Sequence, residues 1–205
     1  MEIQNRIFQE IDESIAVKRA LAAEGIDTIA QIVSVIVRIL EAGNKVILFG
    51  NGGSAADAQH IAAEFIGRYR SERIALPALA LTTNTSVLTA LGNDYGFEEV
   101  FARQIAALGG PGDVAIAIST SGNSLNVLRA LEVAKSLGLF TVGLAGRTGG
   151  KMRALTDICL CVPSDATPRI QEAHILVGHI LSGFAEETLL RRTGGEQQRV
   201  LFHCK

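Results

Sequence analysis

After Gly43 the chain repeats one order: a short apolar run, a loop rich in glycine or hydroxyl residues, then a segment with helical spacing. Strands joined through helices return to the same edge and lie parallel, so this order specifies a parallel sheet covered on both faces. The apolar runs fall at 45–49, 78–82, 113–118, 139–144 and 157–162, and the helices at about 54–67, 85–92, 97–107, 124–137 and 169–191. The expected architecture is α/β: a three-layer, doubly wound, flavodoxin-like sheet of five parallel strands. Ligands of such sheets sit at the carboxyl ends of the strands. Three of those ends here are Gly50-Asn51-Gly52-Gly53-Ser54, Thr82-Thr83-Asn84-Thr85-Ser86 and Ser119-Thr120-Ser121-Gly122-Asn123-Ser124.

Ahead of the sheet, residues 2–23 and 26–42 show helical periodicity. Ile7, Ile11 and Ile15 form one apolar stripe and Ile29, Ile32, Val33, Ile36, Ile39 and Leu40 another, which reads as an N-terminal helical pair over about 1–43, broken near Gly25. At 205 residues the chain suits one α/β domain, taken as 1–190 with a tail over 191–205 that is weakly ordered or interface-bound. Its 48% hydrophobic and 20% charged content is apolar for a monomer of this size, which points to subunit interfaces.

No stretch approaches the roughly 18 uninterrupted apolar residues of a membrane span, and Met1-Glu2-Ile3-Gln4-Asn5-Arg6 lacks a signal-peptide pattern. A cytoplasmic protein without a membrane partner is the expectation. A formal net charge of −2 and no Lys/Arg stripe give no general attraction to nucleic acid, so any phosphate site must use neutral donors. Of the three cysteines, Cys159 and Cys161 alternate with Ile158, Leu160 and Val162 and read as core thiols in a buried strand, whereas Cys204 beside the terminus is uninformative.

The segment Phe49 to Glu64 joins a strand end, a Gly-rich turn and a helix. Its glycines permit positive φ and close approach of a ligand to the backbone, and Ser54 can cap the helix. On that helix His60 and Glu64 are four residues apart and share a face. Ser119-Thr120-Ser121-Gly122-Asn123-Ser124, before a helix starting near Leu125, carries more hydroxyls than capping requires and reads as a phosphate cradle.

Beyond Pro168, which suits a first helical turn, Gln171, Ile175 and His179 fall on one face of a long helix. Eight helical residues rise about 12 Å, so Gln171 and His179 serve one metal only if both side chains bend inward; otherwise they belong to sites in different subunits. His174 points away from His179 and reads as packing or hydrogen bonding. The set His60, Glu64, Gln171 and His179 suits zinc in its imidazoles and carboxylate, less so in its amide. It is equally compatible with an exposed His60/Glu64 pair and a histidine buried in an interface. Asn93-Asp94 reads as a polar turn, open either to sugar hydroxyls or to no ligand.

Taken together, Asn51-Gly52-Gly53-Ser54 with His60 and Glu64, Gly92-Asn93-Asp94-Tyr95-Gly96, the 119–124 loop, and Arg169-Ile170-Gln171-Glu172 with His179 resemble the phosphoheptose isomerases, which are sugar isomerase (SIS) domain proteins. The resemblance runs to about Leu190 in motif order and spacing. It implies a homotetramer with sites at subunit contacts that interconverts D-sedoheptulose 7-phosphate and D-glycero-D-manno-heptose 7-phosphate, feeding nucleotide-activated heptose synthesis.

By motif match it implies one zinc per site held by His60, Glu64, Gln171 and His179. It further implies a sugar phosphate lined by Gly52, Gly53, Ser54, Glu64, Asn93, Asp94, Ser119, Thr120, Ser121, Ser124 and Gln171. Some relatives carry aspartate where this chain has Pro168, so no substrate contact carries over there. For an aldose–ketose isomerisation through a cis-enediol, Glu64 is the expected carbon base and His179 the group exchanging protons with sugar oxygens. The rival reading is a non-catalytic SIS module of the replication-initiator-associating kind. Those relatives lack the residues that match Glu64 and His179.

Overall fold

The runs rich in Val, Ile, Leu and Ala become strands Val46–Gly50 (β1), Ala78–Ala80 (β2), Val114–Ser119 (β3), Phe140–Ala145 (β4) and Ile158–Cys161 (β5) in the computed structural model, which describes residues 2–192. All pairings are parallel, in the order β2-β1-β3-β4-β5. Helices Glu2–Glu41 (α1), Gly53–Ile66 (α2), Thr85–Tyr95 (α3), Ala102–Leu108 (α4), Leu125–Ser136 (α5), Met152–Leu155 (α6) and Thr167–Arg192 (α7) connect and cover it.

Successive side chains of β1 enter opposite faces. Val46 and Leu48 join Ile32, Ile36, Phe65 and Val177 from α1, α2 and α7, whereas Ile47 and Phe49 join Phe101, just before α4, and Ile105 and Leu131 from α4 and α5. Burial on both faces is why these strands read as unbroken apolar runs rather than alternating ones. The order 2-1-3-4-5 reverses direction between β1 and β3, where Gly50 lies beside Ile118. A crevice at the carboxyl ends opens at this switch point.

The N-terminal helical pair is instead one continuous helix. Glycine inside a helix costs only about 1 kcal/mol against alanine, too little to break a helix that packs along its length. Gly25 is itself buried, and a Cβ there would meet Leu21 Cδ1 at 2.8 Å and Leu160 Cδ1 at 3.3 Å, so its small size serves close packing. The stripe Ile29 to Leu40 is largely buried, but Ile7, Ile11 and Ile15 are 54%, 56% and 41% exposed. In length and apolarity α1 would suffice to cross a bilayer, yet its apolar C-terminal half is a core helix packed on α7 and β5.

Other boundaries shift for local reasons. The helix expected at 97–107 divides into a 3-10 turn, Phe97–Glu99, and α4, with Phe101 between them turned inward against Phe49. The four-residue α6 is too short to show periodicity. Strand β5 is an edge strand with Cys159 and Cys161 half-buried, less enclosed than the core thiols expected; Cys159 still packs on the second face of the core. The expected tail lies, beyond Arg192, outside the described residues, and so does Cys204.

Helices α2 and α7 run side by side on one face and touch where Gly178 meets Ile61, a contact in which a Cβ on Gly178 would stand 2.4 Å from Ile61 Cδ1. Ile61 is fully buried and cannot retreat. Gly178→Ala is therefore expected to cost about 1–3 kcal/mol by overpacking, measurable by urea unfolding. Unchanged stability would mean that the helices are not held in contact there.

Candidate functional site

Two loops meet at the switch point. In the first, Gly50 lies so close to β3 that a Cβ would come within 2.6 Å of the Ile118 carbonyl, and Gly52 takes φ +56° to turn the chain into α2. The helix cap is Gly52 rather than Ser54. Ser54 already lies inside the first turn, buried, with its N–H donated to the Asn51 carbonyl at 3.0 Å. The amide side chains of Asn51 and Asn126 exchange two hydrogen bonds of 2.9 Å, fixing the first loop to the start of α5.

In the second loop Gly122, at φ +64°, passes so near the Gly149 carbonyl that no side chain would fit. Asn123 receives a hydrogen bond from the Lys151 N–H at 3.0 Å, and Gly122 O receives one from the Met152 N–H at 2.9 Å. Ser119 Oγ and Ser124 Oγ are 3.2 Å apart, and Ser121 Oγ accepts from the Asn123 N–H at 3.1 Å. Ser124 occupies the cap position of α5 but its side chain makes no capping bond. The N–H groups of Ser121, Ser124, Leu125 and Asn126 have no protein partner among the described residues. A helix N-terminus with free N–H groups beside serine hydroxyls can attract an anion without a cation of its own.

Farther along α2, the contact between α2 and α7 brings three ligating side chains together. His60 Nε2 is 3.2 Å from Glu64 Oε1 and 3.2 Å from His179 Nε2, and one ligand atom from each of the three falls within 4.8 Å of the others. The imidazoles meet edge to face, with centroids 4.9 Å apart. This cluster can hold a metal ion. Gln171 is not gathered with it: its carboxamide lies over Gly53, where a Cβ would be 2.5 Å from Nε2. Gly53 precedes His60 by seven residues, or about 10 Å of helix.

Asn93 and Asp94, expected in a polar turn, lie in the last helical turn of α3 and are exposed. Asn93 donates to Asp94 Oδ1 at 2.8 Å, so the pair is engaged with itself rather than with the serine loop. The helix continues to Tyr95 and stops at Gly96, whose φ is +91°. Thr120 is half-buried in the serine loop, its carbonyl accepting the Gly146 N–H at 3.0 Å.

Four residues at the site went unread in the sequence. Tyr69 stacks on His179 with centroids 5.5 Å apart and planes 22° apart. Glu186, 2% exposed, accepts the N–H groups of Tyr69, Arg70 and Ser71 at 2.8–2.9 Å and Arg73 Nε at 3.1 Å. Burial pushes the Glu186 carboxyl upward, but those N–H bonds and the Arg73 charge outweigh it and hold it below the usual range. The fourth is Asp57, one turn before His60, whose Oδ2 is buried without a partner. A charged residue recurring at helical spacing on a buried face was the available signal: Asp57 is i−3 from His60, and Glu186 is i+7 from His179.

Burial raises the Asp57 carboxyl from 3.8 to about 6, with His60 opposing the shift. The folded state thus holds its proton more tightly than the unfolded chain, and stability from this group is lost as pH rises from about 4 to 6. His174 behaves oppositely. Fully buried, with Nε2 3.2 Å from the Ala145 carbonyl, it is pushed from 6.5 down to about 4 by burial, so stability is lost as pH falls through that range. In chelator-treated protein Asp57→Asn should raise the melting temperature at pH 7.5 and change it little at pH 4. His174→Gln should flatten the acid loss between pH 6.5 and 4. Parallel melting curves for variants and parent at all pH values would contradict both assignments.

The 11–146 segment matches the family model described as the SIS domain. A phosphoheptose isomerase from Aneurinibacillus thermoaerophilus is 54% identical over 187 residues, covering 90% of this chain and 94% of that protein. Another, from Rhodospirillum rubrum, is 58% identical over 161 residues, 78% of this chain and 86% of the relative. The solved phosphoheptose isomerase of Neisseria gonorrhoeae superposes with a TM-score of 0.86 at 43% identity, covering 90% of this chain and 99% of its own. That of Francisella tularensis superposes at 0.88 and 39%, covering 91% and 100%. With its doubly wound sheet, its loops at the β1/β3 switch point and relatives matched over nearly their full lengths, the chain belongs to the phosphoheptose isomerase family of SIS-domain proteins.

Proposed function

We propose that the chain is an aldose–ketose isomerase that converts D-sedoheptulose 7-phosphate to D-glycero-D-manno-heptose 7-phosphate, a sugar phosphate destined for nucleotide-activated heptose. The observation that carries the reading is the His60/Glu64/His179 cluster where helices α2 and α7 meet, with the N-terminus of α2 beside the four free N–H groups of the serine loop and the start of α5. One end of a sugar phosphate needs an anion cradle, and the other needs a base and a proton donor. The non-catalytic alternative has no use for a carboxylate beside two paired imidazoles.

The donor set fits zinc. Two Zn–N bonds of about 2.0–2.1 Å at a tetrahedral angle place the nitrogens about 3.3 Å apart, and His60 Nε2 and His179 Nε2 are 3.2 Å apart. Two imidazole lone pairs repel at that distance unless a proton or a cation lies between them. Three protein ligands with an open position is also the arrangement of catalytic zinc. Gln171 completes the set of four expected ligands only by leaving Gly53 or by reaching a neighbouring subunit. When bound here, zinc supplies Lewis acidity to adjacent carbonyl and hydroxyl oxygens.

Isomerisation moves a proton from C1 of the ketose to C2 through a cis-enediol. Glu64 faces His60 through Oε1, and its Oε2 makes no hydrogen bond among the described residues, so Oε2 is the oxygen that takes and returns the carbon-bound proton. His179 exchanges protons at O1 and O2. The N–H groups of Ser121, Ser124, Leu125 and Asn126, with the hydroxyls of Ser119, Thr120, Ser121 and Ser124, hold the phosphate. Gly52, Gly53 and Ser54 line the sugar between them, with Gln171 over Gly53; Asn93 and Asp94 complete the set of expected sugar contacts.

A homotetramer with sites at subunit contacts suits the same chain. The row Ile3, Ile7, Phe8, Ile11 and Ile15 on α1 is exposed, and α3 buries none of its residues within one chain. A second copy would cover both and bring Asn93 and Asp94 to a site. The 1–190 segment then acts as one SIS unit, in the cytoplasm, where phosphorylated sugars are made and retained.

Glu64→Gln should leave the fold and sugar-phosphate binding intact while lowering kcat by about 10²–10⁴; a rate near that of the parent would remove Glu64 from the mechanism. Chelation should abolish turnover and added zinc restore it, whereas activity in protein shown to be metal-free would reduce the cluster to polar groups. Comparing five-, six- and seven-carbon ketose phosphates should give the highest kcat/KM for the seven-carbon sugar.

A further inference from the structure

The ring of His179 also meets a segment that carries none of the sequence motifs. Chain 67–75 leaves the end of α2 and would be an irregular loop, yet it is tied down by one buried ion pair. Arg73, with its side chain 3% exposed, sends Nη1 to the carbonyls of Phe65, Gly67 and Ile74 and Nη2 to the Glu64 carbonyl at 2.7 Å. It thereby satisfies the otherwise open Glu64 carbonyl at the C-terminus of α2 and shares the Phe65 carbonyl with the Leu76 N–H. Its Nε goes to Glu186 Oε2, and Glu186 gathers the three consecutive N–H groups of Tyr69, Arg70 and Ser71. Both partners are almost fully enclosed and their charges are paired.

What this network presents to the site is the ring of Tyr69, laid nearly flat on His179. Glu186 and His179 lie two turns apart on α7, so the same helix supplies the anchor of the loop and the imidazole beneath it. We propose that Tyr69, fixed by the Glu186–Arg73 pair, is a positioning residue for His179: it sets the plane of the imidazole so that Nε2 faces His60 and Glu64. The reading rests on the isomerase function assigned above. An imidazole on a helix has two side-chain torsions, and the contact with His60 through Nε2 fixes a ring edge rather than the ring plane. The stacked phenol lies against the ring face and restrains its plane, leaving Nε2 as the nitrogen directed at the cluster. Arg70, 5.0 Å above the Tyr69 ring, holds the phenol from outside.

The test compares Tyr69→Phe, which keeps the stacked ring, with Tyr69→Leu, which removes it, in the full-length enzyme. Thermal melting should show both variants folded. For Tyr69→Leu, kcat on sedoheptulose 7-phosphate should fall about 10- to 100-fold, as expected for a misplaced catalytic group, with KM within about twofold of the parent. Tyr69→Phe should restore kcat to within about threefold.

A second readout is independent of turnover. The ring-current shift of the His179 carbon-bound protons, followed by NMR and assigned with His179→Gln, should persist in Tyr69→Phe and vanish in Tyr69→Leu. If the parent enzyme does not turn over the heptulose, the isomerase reading fails while the NMR comparison still decides the stacking. Three results would overturn the proposal: an unchanged kcat and His179 signal in Tyr69→Leu, a rise in KM alone, or a Tyr69→Phe variant as slow as Tyr69→Leu. The last would make the phenol hydroxyl, not the ring, the working group.

Discussion

Helices α2 and α7 can bring their functional faces together only because residue 178 has no side chain. Ile61 fills the space that a Cβ at Gly178 would take, and the residues next to this pair in sequence, His60 and His179, meet at 3.2 Å. Closely packed helices are typically 8–10 Å apart, with the distance set by the side chains at the contact. A methyl group inserted at 178 would act on the whole cluster, since Glu64 lies one turn beyond His60 on the same helix. Packing and chemistry therefore share one contact. The core that stabilises this face of the sheet also sets the distance between the ligating atoms.

The second constraint is electrostatic. A chain of net charge −2 has little general attraction for an anion, and among the described residues no lysine or arginine hydrogen-bonds to the serine loop through its side chain. The sheet topology supplies the missing attraction. Reversal of strand order between β1 and β3 leaves two helix N-termini beside one crevice, and the Asn51–Asn126 amide pair locks one to the other. Partial positive charge from aligned peptides, directed by Gly52 and Gly122 at positive φ, replaces a formal charge. In the proposed function such a site would hold the phosphate dianion without offering a fixed cation that would compete for Glu64.

Much of this was legible in the residues. Strands announced themselves because burial on both faces leaves no alternative to continuous apolar runs, and the serine loop stood out because its hydroxyls exceed what a cap needs. The four-residue spacing of His60 and Glu64 placed them on one face, as found. The misread features arise where the local sequence admits two conformations, or where contacts distant in the chain overrule it. Gly25 looks like a break until Leu160 is seen against it. Asn93-Asp94 has turn composition, yet the helix runs on to Tyr95. Ser54 has a capping side chain, but the turn at Gly52 places the cap two residues earlier. Tyr69, Arg73 and Glu186 belong to no short motif, because Glu186 is separated from Tyr69 by 117 residues and from Arg73 by 113. Gln171 shares a helical face with His179, but a face says nothing of which end of the neighbouring helix a side chain meets.

The central claim is that this chain moves a carbon-bound proton through Glu64. It is tested most directly by incubating the purified protein with sedoheptulose 7-phosphate in deuterium oxide and reading the product by NMR. The expected product is an aldose heptose 7-phosphate, with deuterium at C2 in those turnovers in which the proton on Glu64 exchanges with solvent, formed by the parent and not by Glu64→Gln. Recovery of unchanged, unlabelled ketose from the zinc-loaded parent, or equal labelling by the variant, would contradict it.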